Sequence, residues 1–437
     1  DDRMPRADDR TPLLSVILPV YNAMPWLPIA VRDILKQKLH ASASLELLIV
    51  SDGGSDGSLE FVLALVEALG AARASQEVYD PPPDALPHNP ALVQPLRAAE
   101  DEDHPSFADG PAPLAPAPLS VAAVARACRP EHTVRVLRYR DGANRGQGAA
   151  MTLGLLRSRR SAYVGQMESD DERRDEEALG KMVGALEARE EWDGVSCQVE
   201  LVGSDRPGME EYVGWQNSLC SPEAMAAGRF IEIPALHQTA IFRRAVVEEV
   251  LGPTAGCYRD GVYARREASA QAVLGAELDV PVDLWWWLLF FHHGKRCGKL
   301  GGEPLFGWRQ HPRQHTRTHG RLSLENLRRI KASFFVLGPG RDAQQIQVWS
   351  IGATLEGWVA ELRAAGATHV VAVDWKPGAP LPEVWRNRAK RKVPGEPELG
   401  ASRTGVIRIV VFGKPKVRAR ARALMRDWDD QLDWFAA

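Results

Sequence analysis

Four short segments hold the residues whose types and spacing suit chemistry. They are Pro19-Val20-Tyr21-Asn22, Ser51-Asp52-Gly53-Gly54-Ser55, Arg145-Gly146-Gln147-Gly148 and Glu168-Ser169-Asp170-Asp171. Two of the four are acidic. Carboxylates placed near one another suit a hard divalent cation that bridges to a phosphorylated ligand. Each acidic cluster also has a plainer reading. Asp52 caps the turn of SDGGSDGS. The run ESDDERRDEE opens a solvated helix, whose N-terminus favours negative charge.

Strands and helices must place these segments. Residues 14–20 and 45–50 are short apolar runs, and helical spacing follows each at 25–38 and 58–70. Alternating strands and helices with apolar rather than alternating strands predict a parallel sheet covered on both faces. Ligands of such sheets bind beyond the carboxyl ends of the strands, where all four segments fall. Further strands are expected at 133–139, 162–167, 194–201, 238–242 and 304–309. Helices are expected at 147–158, 176–189, 209–228, 243–251 and 282–293. The last carries Trp285, Trp286 and Trp287. Three consecutive residues fan across about 200° of a helix, so one ring is expected to leave the core face.

Composition bounds the rest. The 437 residues allow about three domains at ~150 residues each. Eleven of the 31 prolines fall between Pro81 and Pro118, so 80–130 is expected to be a proline-rich, largely disordered insertion. A second unit is expected over 344–437: strand 346–351, helix 354–365, a strand ending at Asp374, strand 405–412 and a basic helix at 416–427. Its Gly352 and Gly357 do not form a dinucleotide fingerprint, so it reads as a small α/β accessory domain. The net charge of −3 gives no reason to expect nucleic-acid binding. No run approaches the ~18 apolar residues of a membrane span. The first ten residues lack the apolar core of a secretory signal. Five scattered cysteines predict free thiols, with the cytoplasm as the expected compartment.

Taken together, LSVILPVYNAMPWLPIAVRDILKQ, LELLIVSDGGSDGS and AYVGQMESDDE resemble the nucleotide half of glycosyltransferase family 2 enzymes, which have the GT-A fold. DGVSCQVELVGSDRPGMEEYVGWQNSLCSPEAM, VPVDLWWWLLFFHHG and FGWRQHPRQHT are similar to one subgroup, the beta-1,3-N-acetylglucosaminyltransferase-like proteins. The resemblance runs from about Leu14 to Asp374 and implies a GT-A domain over 11–335.

It also implies an activity: metal-dependent, inverting transfer of a sugar, N-acetylglucosamine, from a UDP-sugar donor to an unidentified hydroxyl acceptor. Carried over, Pro19, Tyr21, Asn22 and Asp52 hold the nucleoside, and Asp52 accepts from the uracil imide. Asp170 ligates Mg²⁺ or Mn²⁺, with Asp171 as a second ligand or support and His311 as a diphosphate or metal contact; His315 shares that segment. Glu168 stands where Asp is usual, so its ribose or metal contact shifts. Asp283 is the catalytic base, with N-capping of its helix as the plainer role. Met151 and Val282 stand where the family has a basic residue and a Glu. That leaves Arg145, with Gly146, as the diphosphate contact. These departures also support another class of function, a catalytically impaired GT-A module acting as a binding or scaffold protein. A nucleotidyltransferase would need a basic, glycine-rich phosphate loop after the first strand, and PVYNAMPW is not one.

Overall fold

A computed structural model describes residues 11–40, 43–80, 119–158, 160–203, 207–251, 281–311, 314, 322–375, 405–412, 417 and 434–436. The first ten residues, the core of the expected insertion, His315 and nearly all of the basic helix at 416–427 lie outside these. The contacts divide the chain into two units.

The first unit runs β1 (Leu14–Val20), α1 (Leu27–Leu35), β2 (Leu45–Ser51), α2 (Ser58–Leu69), β3 (Ala74–Tyr79), α3 (Val121–Ala127), β4 (Thr133–Tyr139), α4 (Gln147–Arg157) and β5 (Tyr163–Gln166). It continues with β6 (Glu172–Arg173), α5 (Ala178–Glu187), β7 (Gly194–Cys197), β8 (Val199–Val202), α6 (Pro207–Ser218), α7 (Pro222–Gly228), whose residues from Ala226 on fall in the second unit, β9 (Ile241–Arg243) and α8 (Arg244–Leu251). After α9 (Val282–His292), which belongs to the second unit, β10 (Cys297–Leu300) and β11 (Phe306–Arg309) complete it.

Eight strands form the main sheet in the order β10-β7-β9-β5-β1-β2-β4-β3. Only β9 is antiparallel to its neighbours. This is an α/β fold built on a parallel-dominated sheet. β1 and β2 are buried along their whole length, which is why they read as continuous apolar runs. Pro19 sits in central β1 at little cost. The β1–β5 pairing ends at Ile17 opposite Gln166, so the missing N–H falls past the partner strand. β6, β11 and β8 form a small second sheet.

Three expectations need correction here. The insertion does not reach residue 130: α3 is a helix whose N-cap, Ser120, accepts the Ala123 N–H at 3.2 Å. Its Val124 is fully buried against the core that α1 and α2 share. Residues 194–201 are two strands, not one: β7 joins the main sheet and β8 the small one. Asn217 explains the break. Its side chain takes the Val199 N–H at 2.9 Å and gives a hydrogen bond to the Val199 carbonyl at 2.7 Å. The segment 209–228 is likewise two helices, α6 and α7.

The second unit contains α9, α10 (Leu324–Leu337), β12 (Gln345–Ser350), α11 (Gly352–Ala364), β13 (Val370–Asp374), β14 (Val406–Val410) and β15 (Trp434–Ala436). Its strands are all parallel, in the order β13-β12-β14-β15. The sequence boundary near 335–344 had placed α9 and α10 in the first unit. All three tryptophans of α9 are buried, none leaving the core, because Leu284, Leu288 and Phe290 make the helix apolar all round. Among the described residues, no helix is long and apolar enough to cross a membrane. Cys128, Cys197, Cys220 and Cys297 are free thiols.

Candidate active site at the carboxyl ends of the sheet

The parallel registers bring the predicted segments together. Ile17 of β1 lies opposite Leu48 of β2 and Gln166 of β5. Side chains alternate with period two along a strand. Pro19 therefore continues the face of Ile17, while Asp52 and Glu168 lie just past the ends of β2 and β5. That face lies under α4: a Cβ added to Gly154 would sit 2.4 Å from Ile17 Cγ2. β1 alone separates the two acidic strand ends.

Asp52 is 3% exposed. Its Oδ1 accepts the Arg145 N–H at 2.7 Å and its Oδ2 the Gly146 N–H at 2.8 Å. The carboxylate therefore clamps the glycine-bearing loop that starts α4. Gly146 has φ 85°, a value a side chain would strain.

The loop after β1 is held by the turn after β2. Asn22, at φ 47°, accepts the Ser55 N–H on its Oδ1 at 2.8 Å. Asp56 accepts the Met24 N–H at 2.7 Å, and Ser58 Oγ accepts the Ala23 N–H at 3.0 Å. Tyr21 is 44% exposed at the lip. The repeated Asp and Ser of SDGGSDGS thus bind a neighbouring loop as well as their own turn.

Arg145 departs from its expected role. Its guanidinium forks onto Asp141 at 2.9 and 2.6 Å, donates to the Ala143 carbonyl at 3.1 Å and lies 4.4 Å over the Tyr139 ring. The hydrogen bond from Arg145 holds the Asp141 carboxyl down at about 2. Arg145 thus meets Asp52 through its backbone, and its charge is committed to Asp141 rather than presented to a diphosphate.

Glu168 is gripped by two glutamines, of which sequence reasoning passed over Gln166. Gln147 Nε2, at the start of α4, and Gln166 Nε2, at the end of β5, reach Glu168 Oε1 at 2.6 and 2.5 Å. The available signal was a glutamine inside the apolar run AYVGQM.

Asp170 and His311 meet, with His311 Nε2 2.8 Å from Asp170 Oδ2. His311 stacks on Trp26 at 6.0 Å and 24°, and Arg309 lies 4.5 Å over the same ring. Arg309 fastens the whole acidic turn: its Nε donates to the Asp170 carbonyl at 3.0 Å and its guanidinium pairs with Glu172.

Of the two roles expected for Asp171, ligand or support, its contacts fit the second. It is 2% exposed, accepting the Arg309 N–H at 2.9 Å and Gln238 Nε2 at 3.1 Å. Burial, aided by the charge of Asp170, pushes its carboxyl well above the usual range. It braces the turn, one oxygen accepting from Arg309 and the other from Gln238. Among the described residues no three His, Cys, Asp or Glu side chains form a metal cluster. The Asp170–His311 pair nevertheless fits a cation held through a substrate, because Mg²⁺ is commonly bound by one or two protein ligands together with phosphates.

Asp283 lies in the first turn of α9, in the second unit. The N-cap position belongs to Pro281, so Asp283 is not the cap but a carboxylate near the positive end of the helix.

No protein-family model matches the chain, and no curated protein matches it. Among solved structures, S. aureus TarS 1–349 in complex with UDP-GlcNAc is 14% identical over 74% of this chain and 67% of its own, with a TM-score of 0.44. The same fragment in complex with UDP gives 14% identity, 74% and 66% coverage, and a TM-score of 0.43. For S. aureus TarS outside that fragment set, this chain covers only 40% of the other's length, at 13% identity and a TM-score of 0.43.

Proposed function

We propose that the first unit binds a UDP-sugar and that the protein transfers the sugar, N-acetylglucosamine, to a hydroxyl acceptor with inversion. The observation that supports this reading is that Asp52 and Glu168, past the ends of the strands on either side of β1, both reach the start of α4, through the Arg145 and Gly146 N–H groups and through Gln147, with Asp170, which meets His311, two residues beyond Glu168. Asp52 sets the α4 loop against the first-strand loop, so that Tyr21 and Asn22 border a nucleoside subsite. Glu168, steadied by Gln147 and Gln166, accepts a donor hydroxyl. Asp170 and His311 hold Mg²⁺ or Mn²⁺ with the donor diphosphate. The cation supplies charge neutralisation for the leaving UDP. Asp283 takes the proton of the acceptor hydroxyl as that oxygen attacks the anomeric carbon, a role worth roughly 10²–10⁴-fold in rate.

A donor-binding module without transfer is the second reading. It is favoured by the Arg145–Asp141 pairing and by Met151, which is 1% exposed where the resembled family has a basic residue. UDP released from UDP-N-acetylglucosamine and a panel of other UDP-sugars, with and without Mn²⁺, separates the two. Transfer requires release that Asp283→Asn removes while UDP binding stays intact. Binding with no release by the wild-type chain across acceptors supports the silent module.

A further inference from the structure

Gln166 ends β5 with 2% exposure, in a strand otherwise made of apolar residues and glycine. Its Nε2 donates to Glu168, which settles the orientation of the amide, because only the NH₂ end can face a carboxylate. The carbonyl end, Oε1, is then buried without a hydrogen-bond partner. Such atoms are rare, and each calls for a reason. An apolar side chain at this position would have filled the strand without leaving one. Gln147 reinforces the geometry by donating to the same Glu168 oxygen. Each glutamine directs its NH₂ end at Glu168, which leaves the amide oxygen of Gln166 as an acceptor next to that carboxylate.

We propose that Gln166 and Glu168 together receive a vicinal diol of the bound donor, with Gln166 as a specificity-determining residue. This rests on the donor-binding reading above. Two neighbouring acceptors call for two neighbouring donors, and hydroxyls on adjacent carbons supply them. A ligand carbonyl or phosphate oxygen would face repulsion from both. The diol belongs to the ribose or to the sugar ring, and the two sources give different results.

Calorimetric titration with Mn²⁺ present compares UDP, 2′-deoxy-UDP, 3′-deoxy-UDP and UDP-N-acetylglucosamine on the wild-type chain and on Gln166→Met. With the ribose as the source, at least one deoxy analogue binds wild type tenfold or more weakly than UDP. That penalty shrinks below threefold in Gln166→Met. With the sugar ring as the source, the deoxy analogues match UDP. The extra affinity of UDP-N-acetylglucosamine over UDP then disappears in Gln166→Met. The deoxy comparison on wild type needs no variant and stands even if Gln166→Met folds poorly. If wild type binds UDP but Gln166→Met keeps every wild-type ratio, the role of Gln166 is overturned and donor binding survives. If wild type binds none of the four, the donor reading falls and this proposal falls with it.

Discussion

Replacing Asp52 with Asn isolates the clamp on the α4 loop, since the side chains match in shape. Asp52 holds two N–H groups, those of Arg145 and Gly146. An amide has one oxygen, so one N–H group would face an NH₂. Gly146 N–H has a second acceptor, Asn144 Oδ1 at 2.8 Å, whereas the Arg145 N–H depends on Asp52. The variant therefore turns its oxygen toward Arg145 and gives up the bond to Gly146. A hydrogen bond to a charged group contributes about 1.5–3 kcal/mol, so the loss is about 2 kcal/mol, with Asn144 limiting it. At 1.4 kcal/mol per factor of ten, that is a roughly 30-fold rise in local opening. Hydrogen exchange resolved at Arg145 and Gly146 measures it directly. Protection there should fall about 30-fold, with amides of β1 and β2 unchanged. UDP affinity should drop at least tenfold as the loop loosens. Unchanged exchange at both residues in a folded variant would refute the clamp. Loss of protection across the whole sheet would show that Asp52 supports the fold and not the loop.

Other perturbations reach different parts of the structure. Lys299 is 3% exposed and its Nζ donates to the Gln216 carbonyl, yet burial lowers its amine to about 8. The unfolded chain holds this proton up to about 10.5, so the folded state binds fewer protons between the two values and stability rises with pH across that window. The burial cost at neutral pH is about 3 kcal/mol, offset by about 1 kcal/mol from the hydrogen bond. Lys299→Met should gain stability at pH 7 in urea unfolding and lose that advantage toward pH 10; a difference flat with pH would contradict it. Gly154→Ala places a methyl 2.4 Å from Ile17 Cγ2, an overpacking cost of about 1–3 kcal/mol against a helix preference of at most about 1 kcal/mol. Urea unfolding should show a net loss, and equal or greater stability would show that α4 shifts freely on β1. Arg309→Lys keeps the N–H to Asp171 but loses the planar fork over Trp26 to the Asp170 carbonyl and Glu172. UDP release should slow about tenfold with UDP affinity nearly kept, because small misplacements weigh on rate. An unchanged rate would remove Arg309 from the positioning of Asp170.

The legible parts of the sequence were those where burial on both faces writes a continuous apolar run. β1, β2 and β4 stand within a residue of expectation, and the acidic strand ends follow them. β3 was missed because Ala-Ser-Gln-Glu-Val-Tyr is an edge strand in which only Ala74 is buried. α3 was hidden by the prolines before it. β7 and β8 merged because Gln198 keeps the polar alternation running between them. Roles at the site were less legible than positions. Asp170 and Asp171 are adjacent and chemically identical in sequence. A strand end turns one toward His311 and buries the other against Arg309 and Gln238. Arg145 looked like a phosphate ligand because the sequence does not say that Asp141 lies within reach of its side chain. The α9 tryptophans looked partly exposed because the count of faces assumed one buried side.

The donor site can be tested by one titration, that of the full chain with UDP in the presence and absence of Mn²⁺, repeated on Asp170→Ala. Saturable binding that strengthens with Mn²⁺, and an Mn²⁺ effect that Asp170→Ala abolishes, is the expected result. No saturable binding by the wild-type chain, or an Mn²⁺-dependent affinity left unchanged in Asp170→Ala, would contradict it.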